Sequence, residues 1–302
     1  MRVRAQIRIL PDGRRLHLHD GPIDLIIEAF GTAAQVNLAY QAAATRFVTV
    51  LDELCGELIF LRQPTQVGAP KPDGVIAKRM VAAVAPYCAR TFITPMAAVA
   101  GAVAEEILAS MTSAATLSRA YVNNGGDIAL HLTPEECFVV GMVDLPHHPS
   151  LFGKAELHGD EPVRGIATSG WRGRSFSLGI ADAVTVLADR AATADAAVTI
   201  IANAIDLPGH PNITRVPARD LAPDSDLGDR LVTQNVGDLS HEEIAAALDA
   251  GVGVARSLLG DGLISAAALH LREATEIVGS VQYLPRSPRP FSANHAISAL
   301  GG

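Results

Sequence analysis

The sequence predicts an α+β protein in which antiparallel hairpins alternate with long helices. Three observations lead to this prediction. Strand-like runs meet at turn signals such as Pro11-Asp12-Gly13. Helical spacing of apolar residues extends over 34–62, and a second, Ala-rich helix is predicted over 191–205. A Ser-His-Glu-Glu capping box starts a further helix at Ser240, which we expect to end near Gly260.

The other elements are predicted from the same signals. Thr94 is a candidate helix cap and Pro95 suits a first turn, so a helix is expected from there to about Met111. Pro and Gly mark the loops. Strands are predicted over 2–9, 14–19, 118–123, 127–132, 136–143, 163–168 and 183–188, and one closing strand over 263–279. A short helix is predicted over 75–86, and loops over 63–74, 146–160 and 206–239.

Composition bounds the kind of protein. The chain has 302 residues, of which 49% are hydrophobic, and can therefore bury a sizeable core. We expect a single domain over 1–284 and a Pro-containing tail over 285–302. The net charge of −8, with no basic run, argues against a nucleic-acid partner.

Cysteine usage and apolar stretches indicate the compartment. Cys55, Cys88 and Cys137 are far apart and form no C-x-x-C pair, so we expect three reduced core residues. The N-terminal residues show no secretory signal. The most apolar stretch, 93–104, is too short to span a bilayer and suits a buried helix. The expectation is a cytoplasmic protein without a membrane partner.

The first polar turn reads Asn123-Asn124-Gly125-Gly126-Asp127. Asn and Gly tolerate positive φ, so the sequence is that of a tight turn, and one interpretation of it is purely structural. The functional interpretation places Asn124, Gly125 and Gly126 against a bound ligand. Asp127 would then lie at the pocket rim as an acid/base candidate.

The second polar turn combines hydroxyls with arginines. Thr168, Ser169 and Gly170 precede Arg172 and Arg174, and hydroxyls, loop N–H groups and guanidiniums suit a phosphate or carboxylate. The alternative is that both arginines belong to a solvated face.

Two carboxylates follow this turn. Asp182 either contacts the ligand as a second acid/base candidate or caps its own turn. Asp195 and Thr199 are four residues apart on a predicted helix and share one face. Their oxygens suit a hard cation such as Mg²⁺. The alternative is a helix-terminal Asp that stabilises the dipole, with Thr199 merely packed.

Four ordered blocks within roughly 90–206 resemble the ApbE superfamily of flavin transferases, and most closely an uncharacterised (UPF) branch of it. The blocks are P-M-A-A-V-A-G-A at 95–102, N-G-G-D-I at 124–128, T-S-G at 168–170 with S-L-G-I-A-D-A-V at 177–184, and A-D-A-A-V-T at 194–199. The resemblance implies a T-fold-like architecture, with helices on one face of curved antiparallel sheets. It also implies an Mg²⁺ site at Asp195 and Thr199, and FAD or FMN as the ligand lined by the Gly-rich turn.

Two departures from the flavin-transferase pattern bear on activity. Ala100-Gly101 stands where those enzymes have Lys-Gly, and 176–180 replaces a His-Ile-x-Asp-Pro segment. One hypothesis is therefore an enzyme that acts on a phosphate-bearing small molecule with metal assistance. The second is a flavin-binding or accessory protein that has lost the chemistry. A purely structural oligomer is a third, and the sequence leaves open whether the chain forms a homodimer.

Overall fold

A computed structural model describes residues 4–68, 71–143, 151–280 and 296–298. The strands are β1 Gln6–Ile9, β2 Leu16–Asp20, β3 Ile23–Phe30, β4 Arg119–Asn124, β5 Asp127–Leu132, β6 Cys137–Val143, β7 Leu151–His158, β8 Gly165–Ser169, β9 Ala183–Ala188, β10 Ile213–Pro217, β11 Leu231–Val236, β12 Ala266–Leu271, β13 Ala274–Gly279 and β14 Ala296–Ser298. The helices are α1 Ala33–Gly56, α2 Leu58–Leu61, α3 Val75–Val84, α4 Val99–Ala114, α5 Ala191–Ala204, α6 Ala218–Leu221 and α7 His241–Gly260, with a 3-10 turn at Pro95–Ala98.

One nine-stranded antiparallel sheet organises the molecule. Its order is β1-β2-β3-β4-β5-β8-β9-β12-β13, so neighbours in the chain are neighbours in the sheet except where β6–β7 and β10–β11 intervene. The predicted turn chemistry explains the hairpins at β1–β2 and β4–β5. The alternating burial of β3 shows that 23–30, to which the sequence analysis assigned no element, is a half-buried strand.

The sheet separates two layers. Val122 points into the core shared with α1, α4, α5 and α7, whereas its neighbour Tyr121 belongs to a second core under the β6–β7 hairpin. Successive strand residues face opposite sides, so the middle strands are buried on both faces. The predicted α+β class, with long helices on one face of antiparallel sheet, is confirmed.

Some predicted loops contain strands. Residues 151–158 form β7, which pairs with β6 and buries Ala155 and Leu157. The predicted extended connection over 206–239 contains a two-stranded sheet of β10 and β11. Both predictions were wrong because the partner strand, rather than local composition, decides whether a polar segment forms a ladder.

The end of the chain is described only in part. Within the predicted tail, Ala296–Ser298 pairs in parallel with β6, and the rest of 285–302 lies outside the described residues. The division into a domain over 1–284 and a tail stays a prediction.

The cysteines do not occupy the predicted core positions. All three are free, but Cys55 is exposed and Cys88 and Cys137 are partly exposed. Cys55 follows the buried Leu54 on α1, and one residue later a helix has turned by about 100°, toward solvent.

The apolar helix around α4 belongs to the core. Within the described residues, Pro95–Ala114 is one helix long and apolar enough to cross a membrane by length and composition alone, with a mean hydropathy of 1.2. Its buried residues, among them Val103, Ile107 and Met111, pack in the helix-side core. The expected buried helix is present.

Candidate functional site

The Gly-rich turn joins β4 to β5. Asn124 and Asp127 face each other across the hairpin, and Gly125 and Gly126 between them have φ values of 67° and 111°. A side chain at either position would be strained. The Gly126 amide donates to Asn123 Oδ1 at 2.9 Å, which fixes the turn. The predicted tight turn is thus present, and Asp127 leaves it at the start of β5.

The N-terminus of α4 holds the carboxylate of Asp195. The Gly101 amide donates to Asp195 Oδ2 at 3.0 Å, and the Ala100 amide also donates to this carboxylate. Free amides and the dipole at a helix N-terminus favour an anion. Asn124 Nδ2 donates to Ala100 O at 3.1 Å, so the same helix end contacts the Gly-rich turn.

Gly101 permits this arrangement. A Cβ at Gly101 would lie 2.4 Å from the carbonyl oxygen of Ala191, the first residue of α5. The absence of a side chain lets α4 and α5 approach closely, and Asp195 on α5 can reach the α4 amides. Sequence reasoning identified Gly101 only as half of a departure from the family pattern. The donor role of Ala100 and Gly101 was missed, and the only signal for it was the helix start at Thr94-Pro95.

Asp127 lies beside this helix end with one oxygen unpaired. Its carboxylate accepts a hydrogen bond from the Thr168 amide, so the Asn-Gly-Gly-Asp and Thr-Ser-Gly turns are brought together as expected. The residue as a whole is partly exposed, but Oδ1 is fully enclosed and has no hydrogen-bond partner in the part of the chain that the structure describes. A buried polar atom without a partner is costly and calls for a specific cause.

The surroundings of Asp127 and Asp195 raise the pKa of both carboxyl groups. Burial raises the pKa of Asp195 from 3.8 to about 7, against the opposing effect of the Gly101 and Ala100 amides. Burial raises the pKa of Asp127 well above 3.8, and the charge of Asp195 raises it further. Both carboxyl groups therefore hold a proton more firmly than an exposed aspartate does.

Thr199 lies one helical turn beyond Asp195, as predicted. Its hydroxyl donates to the backbone carbonyl of Asp195 at 3.1 Å. This bond uses the hydroxyl proton and leaves the oxygen lone pairs as acceptors.

The Thr-Ser-Gly segment supports the site from the β8 side. Thr168 Oγ1 lies 3.0 Å from Thr185 Oγ1, and a Cβ at Gly170 would lie 2.2 Å from the Asp182 carbonyl oxygen. Arg174 is exposed, and its Nη1 lies 3.4 Å from where a Cβ on Gly125 would be. The structure thus places the guanidinium of Arg174 over the Gly-rich turn.

Asp182 is occupied by structural contacts. Trp171 Nε1 donates to its Oδ1 at 3.0 Å, and the Arg272 amide donates to its Oδ2 at 2.6 Å. Arg172 lies 3.5 Å from Oδ1 and stacks on the Trp171 ring, with its guanidinium carbon 4.5 Å from the ring centroid. Arg272 is at the β12–β13 turn with a φ of 58°, so Asp182 helps to hold a strained backbone position.

Asp182→Asn is expected to destabilise the protein by about 1–3 kcal/mol. The side-chain nitrogen of the new Asn would face a hydrogen-bond donor, either Trp171 Nε1 or the Arg272 amide. Urea unfolding followed by far-UV circular dichroism measures the change. The matched control is Asp189→Asn at an exposed aspartate, which should change the free energy of unfolding by less than about 0.5 kcal/mol. Equal stability of the two variants would contradict the structural role of Asp182.

A cavity of about 580 Å³ lies elsewhere, between α7 and the β12–β13 hairpin. Its lining includes Ile244, Leu248 and Glu276 and neither buried carboxylate. The cluster formed by Asp127, Asp195 and the Gly-rich turn therefore does not line this cavity.

The cluster combines paired acids, a helix N-terminus and a Gly-rich turn. Comparison with known proteins gives the family: a family model described as AbpE bacteria matches residues 7–280, and the chain belongs to this family. The predicted resemblance is confirmed.

Curated relatives are similar over part of their length. A UPF0280 protein of Methanopyrus kandleri is 43% identical over 140 residues, 46% of this chain and 51% of the relative. A UPF0280 protein of Methanosarcina barkeri is 32% identical over 188 residues, 60% of this chain and 70% of the relative. The chain spans about half the length of the first of these two relatives.

Two solved structures are similar at low identity. The flavinyl transferase ApbE of Pseudomonas stutzeri, in its apo form, is 10% identical, with 91% of this chain and 93% of that chain covered and a TM-score of 0.43. The flavin transferase ApbE of Vibrio cholerae is 12% identical, with 91% and 97% covered and a TM-score of 0.37.

Proposed function

We propose that this protein binds a phosphate-bearing small molecule, a flavin nucleotide or a similar compound, and acts on it as a metal-assisted transferase. The observation that carries the proposal is the buried Asp127–Asp195 pair, in which Asp127 Oδ1 has no partner. Like charges placed together in a buried site favour a bound proton or a cation. Family membership and the names of the similar flavin transferases support the choice of ligand.

Asp195 and Thr199 are proposed to hold Mg²⁺. A carboxylate and a hydroxyl oxygen one turn apart are the hard oxygen donors that this ion prefers. No cationic side chain competes, because within the described residues neither Asp127 nor Asp195 has an ion-pair partner. The ion would supply positive charge to a bound phosphate group.

The phosphate group is proposed to contact the Gly-rich turn and the loop after β8. Gly125 and Gly126 allow close backbone approach, and Asn124 and Gly170 shape the turns on either side. Thr168, Ser169, Arg172 and Arg174 supply hydroxyls and guanidiniums. Arg174 is assigned the main anion contact because it lies over the Gly125 turn, whereas Arg172 is engaged with Trp171 and Asp182.

The acid/base role is proposed for Asp127. Burial and the charge of Asp195 raise its pKa well above 3.8, the direction that a general acid requires. Asp182 was an equal candidate in the sequence. We assign it a positioning role because both of its oxygens accept hydrogen bonds from the protein.

The second candidate function is a flavin-binding or accessory protein without catalysis. It is favoured by residues 176–180, which replace the His-Ile-x-Asp-Pro segment of the flavin transferases. Its Leu178 amide donates to Asn203 Oδ1 at 2.9 Å, near the C-terminal end of α5. Asn203 is eight residues from Asp195, or about 12 Å along the helix axis. A cytoplasmic location and a homodimer remain proposals under both functions.

Titration calorimetry tests ligand binding. With Mg²⁺ present, we expect FAD or FMN to bind at least about tenfold more tightly than riboflavin, because riboflavin lacks the phosphate that a charge-assisted hydrogen bond would recognise. Arg174→Met should remove this preference, and the control Arg219→Met, at an exposed arginine paired with Asp229, should retain it. Equal affinity for riboflavin and FMN would contradict the phosphate site. Mass spectrometry of the bound FAD separates the two functions: cleavage products indicate transferase chemistry, and intact FAD indicates a binding protein.

A further inference from the structure

We propose that Asp127 supplies a second carboxylate ligand, through Oδ1, to the cation held by Asp195. This inference rests on the proposed function, because it assigns a further residue to the same cation. It takes the place of the acid role of Asp127, since a carboxylate that binds the cation through Oδ1 carries no proton there. The resemblance to flavin transferases implied only Asp195 and Thr199 as protein ligands.

The first argument is the state of the Asp127 carboxylate. The Thr168 amide interacts with this carboxylate. Within the described residues, its Oδ1 is enclosed and has no hydrogen-bond partner. Leaving a buried acceptor unsatisfied is costly, and more so for a charged group. An acceptor oxygen held in this way is preorganised to donate an electron pair to a bound cation.

The second argument is the position of Asp195. Its carboxylate is anchored by the α4 amides on one side and is close enough to Asp127 for its charge to act on that residue. The two side chains come from different elements, β5 and α5, and each is oriented by a backbone amide rather than by a flexible side chain. Metal-binding carboxylates are typically held in this way, by hydrogen bonds from neighbouring groups.

The third argument is charge balance. In the described part of the chain neither carboxylate is paired with Lys, Arg or His. Flavin transferases carry Lys at the position that corresponds to Ala100, which lies close to Asp195 in space. In this chain the Ala100 amide donates to Asp195. A divalent ion bound between the two acids would replace the positive charge that this helix end lacks.

Thr199 provides an internal comparison. Its hydroxyl already donates to the Asp195 carbonyl, and a neutral hydroxyl is a weaker ligand than a carboxylate. Removal of Asp127 should therefore weaken the cation site more than removal of the Thr199 hydroxyl.

The experiment measures binding of Mn²⁺ alone, by calorimetry and by the electron paramagnetic resonance signal of the free ion. Loss of a group that only orients a metal ligand typically lowers metal affinity by about 10- to 100-fold, so loss of a direct ligand should lower it by at least about tenfold. We expect Asp127→Asn and Asp195→Asn each to lose at least this much, and Thr199→Val to lose less. The control Asp189→Asn, at an exposed aspartate, should bind as the wild type does.

Thermal unfolding shows whether the variant is folded. Asn at position 127 keeps an acceptor for the Thr168 amide, so Asp127→Asn should unfold cooperatively at or above the metal-free wild-type midpoint. Mn²⁺ should raise the midpoint of the wild type and leave that of Asp127→Asn unchanged. If folded Asp127→Asn binds Mn²⁺ within about threefold of the wild type, the inference is overturned and the proposed function stands. If the wild type itself binds no Mn²⁺ at millimolar concentration, with or without FMN, the proposed metal-assisted function fails as well.

Discussion

The metal-free protein is expected to lose stability as the pH rises from about 5 to about 8, because of Asp195. Its pKa is raised from 3.8 to about 7 by burial, so the folded state keeps a proton that the unfolded chain releases. The stabilisation is complete below 3.8 and is lost as the pH passes through about 7. Each pKa unit corresponds to about 1.4 kcal/mol, so the effect is of the order of several kcal/mol. Asp127 changes stability in the same direction, since its pKa is also raised.

Urea unfolding in a chelating buffer at pH 5 and pH 8 measures this loss. Asp195→Asn removes the titrating group and keeps a polar side chain of similar shape, so its stability should vary much less between the two pH values. Mn²⁺ at pH 8 should restore stability to the wild type, because a bound cation takes the place of the proton. If Asp195→Asn shows the same pH dependence as the wild type, Asp195 is not the origin of the loss.

The sequence was informative where structure depends on neighbouring residues. Ser240 and Glu243 form the predicted capping box, and the glycines of the Asn-Gly-Gly-Asp turn adopt the predicted positive φ. These signals act over a few residues, so composition and spacing are enough to read them. β7 and the β10–β11 pair were not predicted, because each strand exists through a partner supplied by another segment.

The candidate site, like the fold, could be predicted from the sequence only in part. The order of the motifs indicated that Asp127, Thr168 and Asp195 belong together, and the structure places them together. The state of each carboxylate could not be read from the motifs. Asp195 is bound to amides 94 and 95 residues earlier in the chain, and Asp182 is tied to an amide 90 residues later. These contacts distinguish a titrating pair from a structural carboxylate, and only the packing of α4 against α5 and of β9 against β12 creates them.

Flavin transfer by this protein is expected to be slow, by at least about a hundred- to a thousand-fold relative to an enzyme that carries the full motif set. Pyrophosphate cleavage develops negative charge, and each preorganised donor that stabilises it contributes roughly that factor. At the α4 N-terminus the Lys position is Ala100, which offers its amide to Asp195. Residues 176–180, which replace the His-bearing segment, are fixed near the C-terminal end of α5 by a hydrogen bond to Asn203. Arg174, over the Gly125 turn, can replace one lost donor and not both.

Incubation with FAD, Mg²⁺ and an acceptor protein, followed by in-gel fluorescence of covalent FMN, measures the transfer. We expect no stoichiometric attachment within minutes. Ala100→Lys tests the electrostatic reason, because Ala100 is partly exposed and a Lys there would bring a positive charge to the carboxylate pair. This charge should lower the pKa of Asp195, flatten the pH dependence of metal-free stability and accelerate any slow transfer. Rapid stoichiometric attachment by the unmodified protein would show that the lost Lys and His are dispensable here. It would also remove the main argument for the flavin-binding alternative.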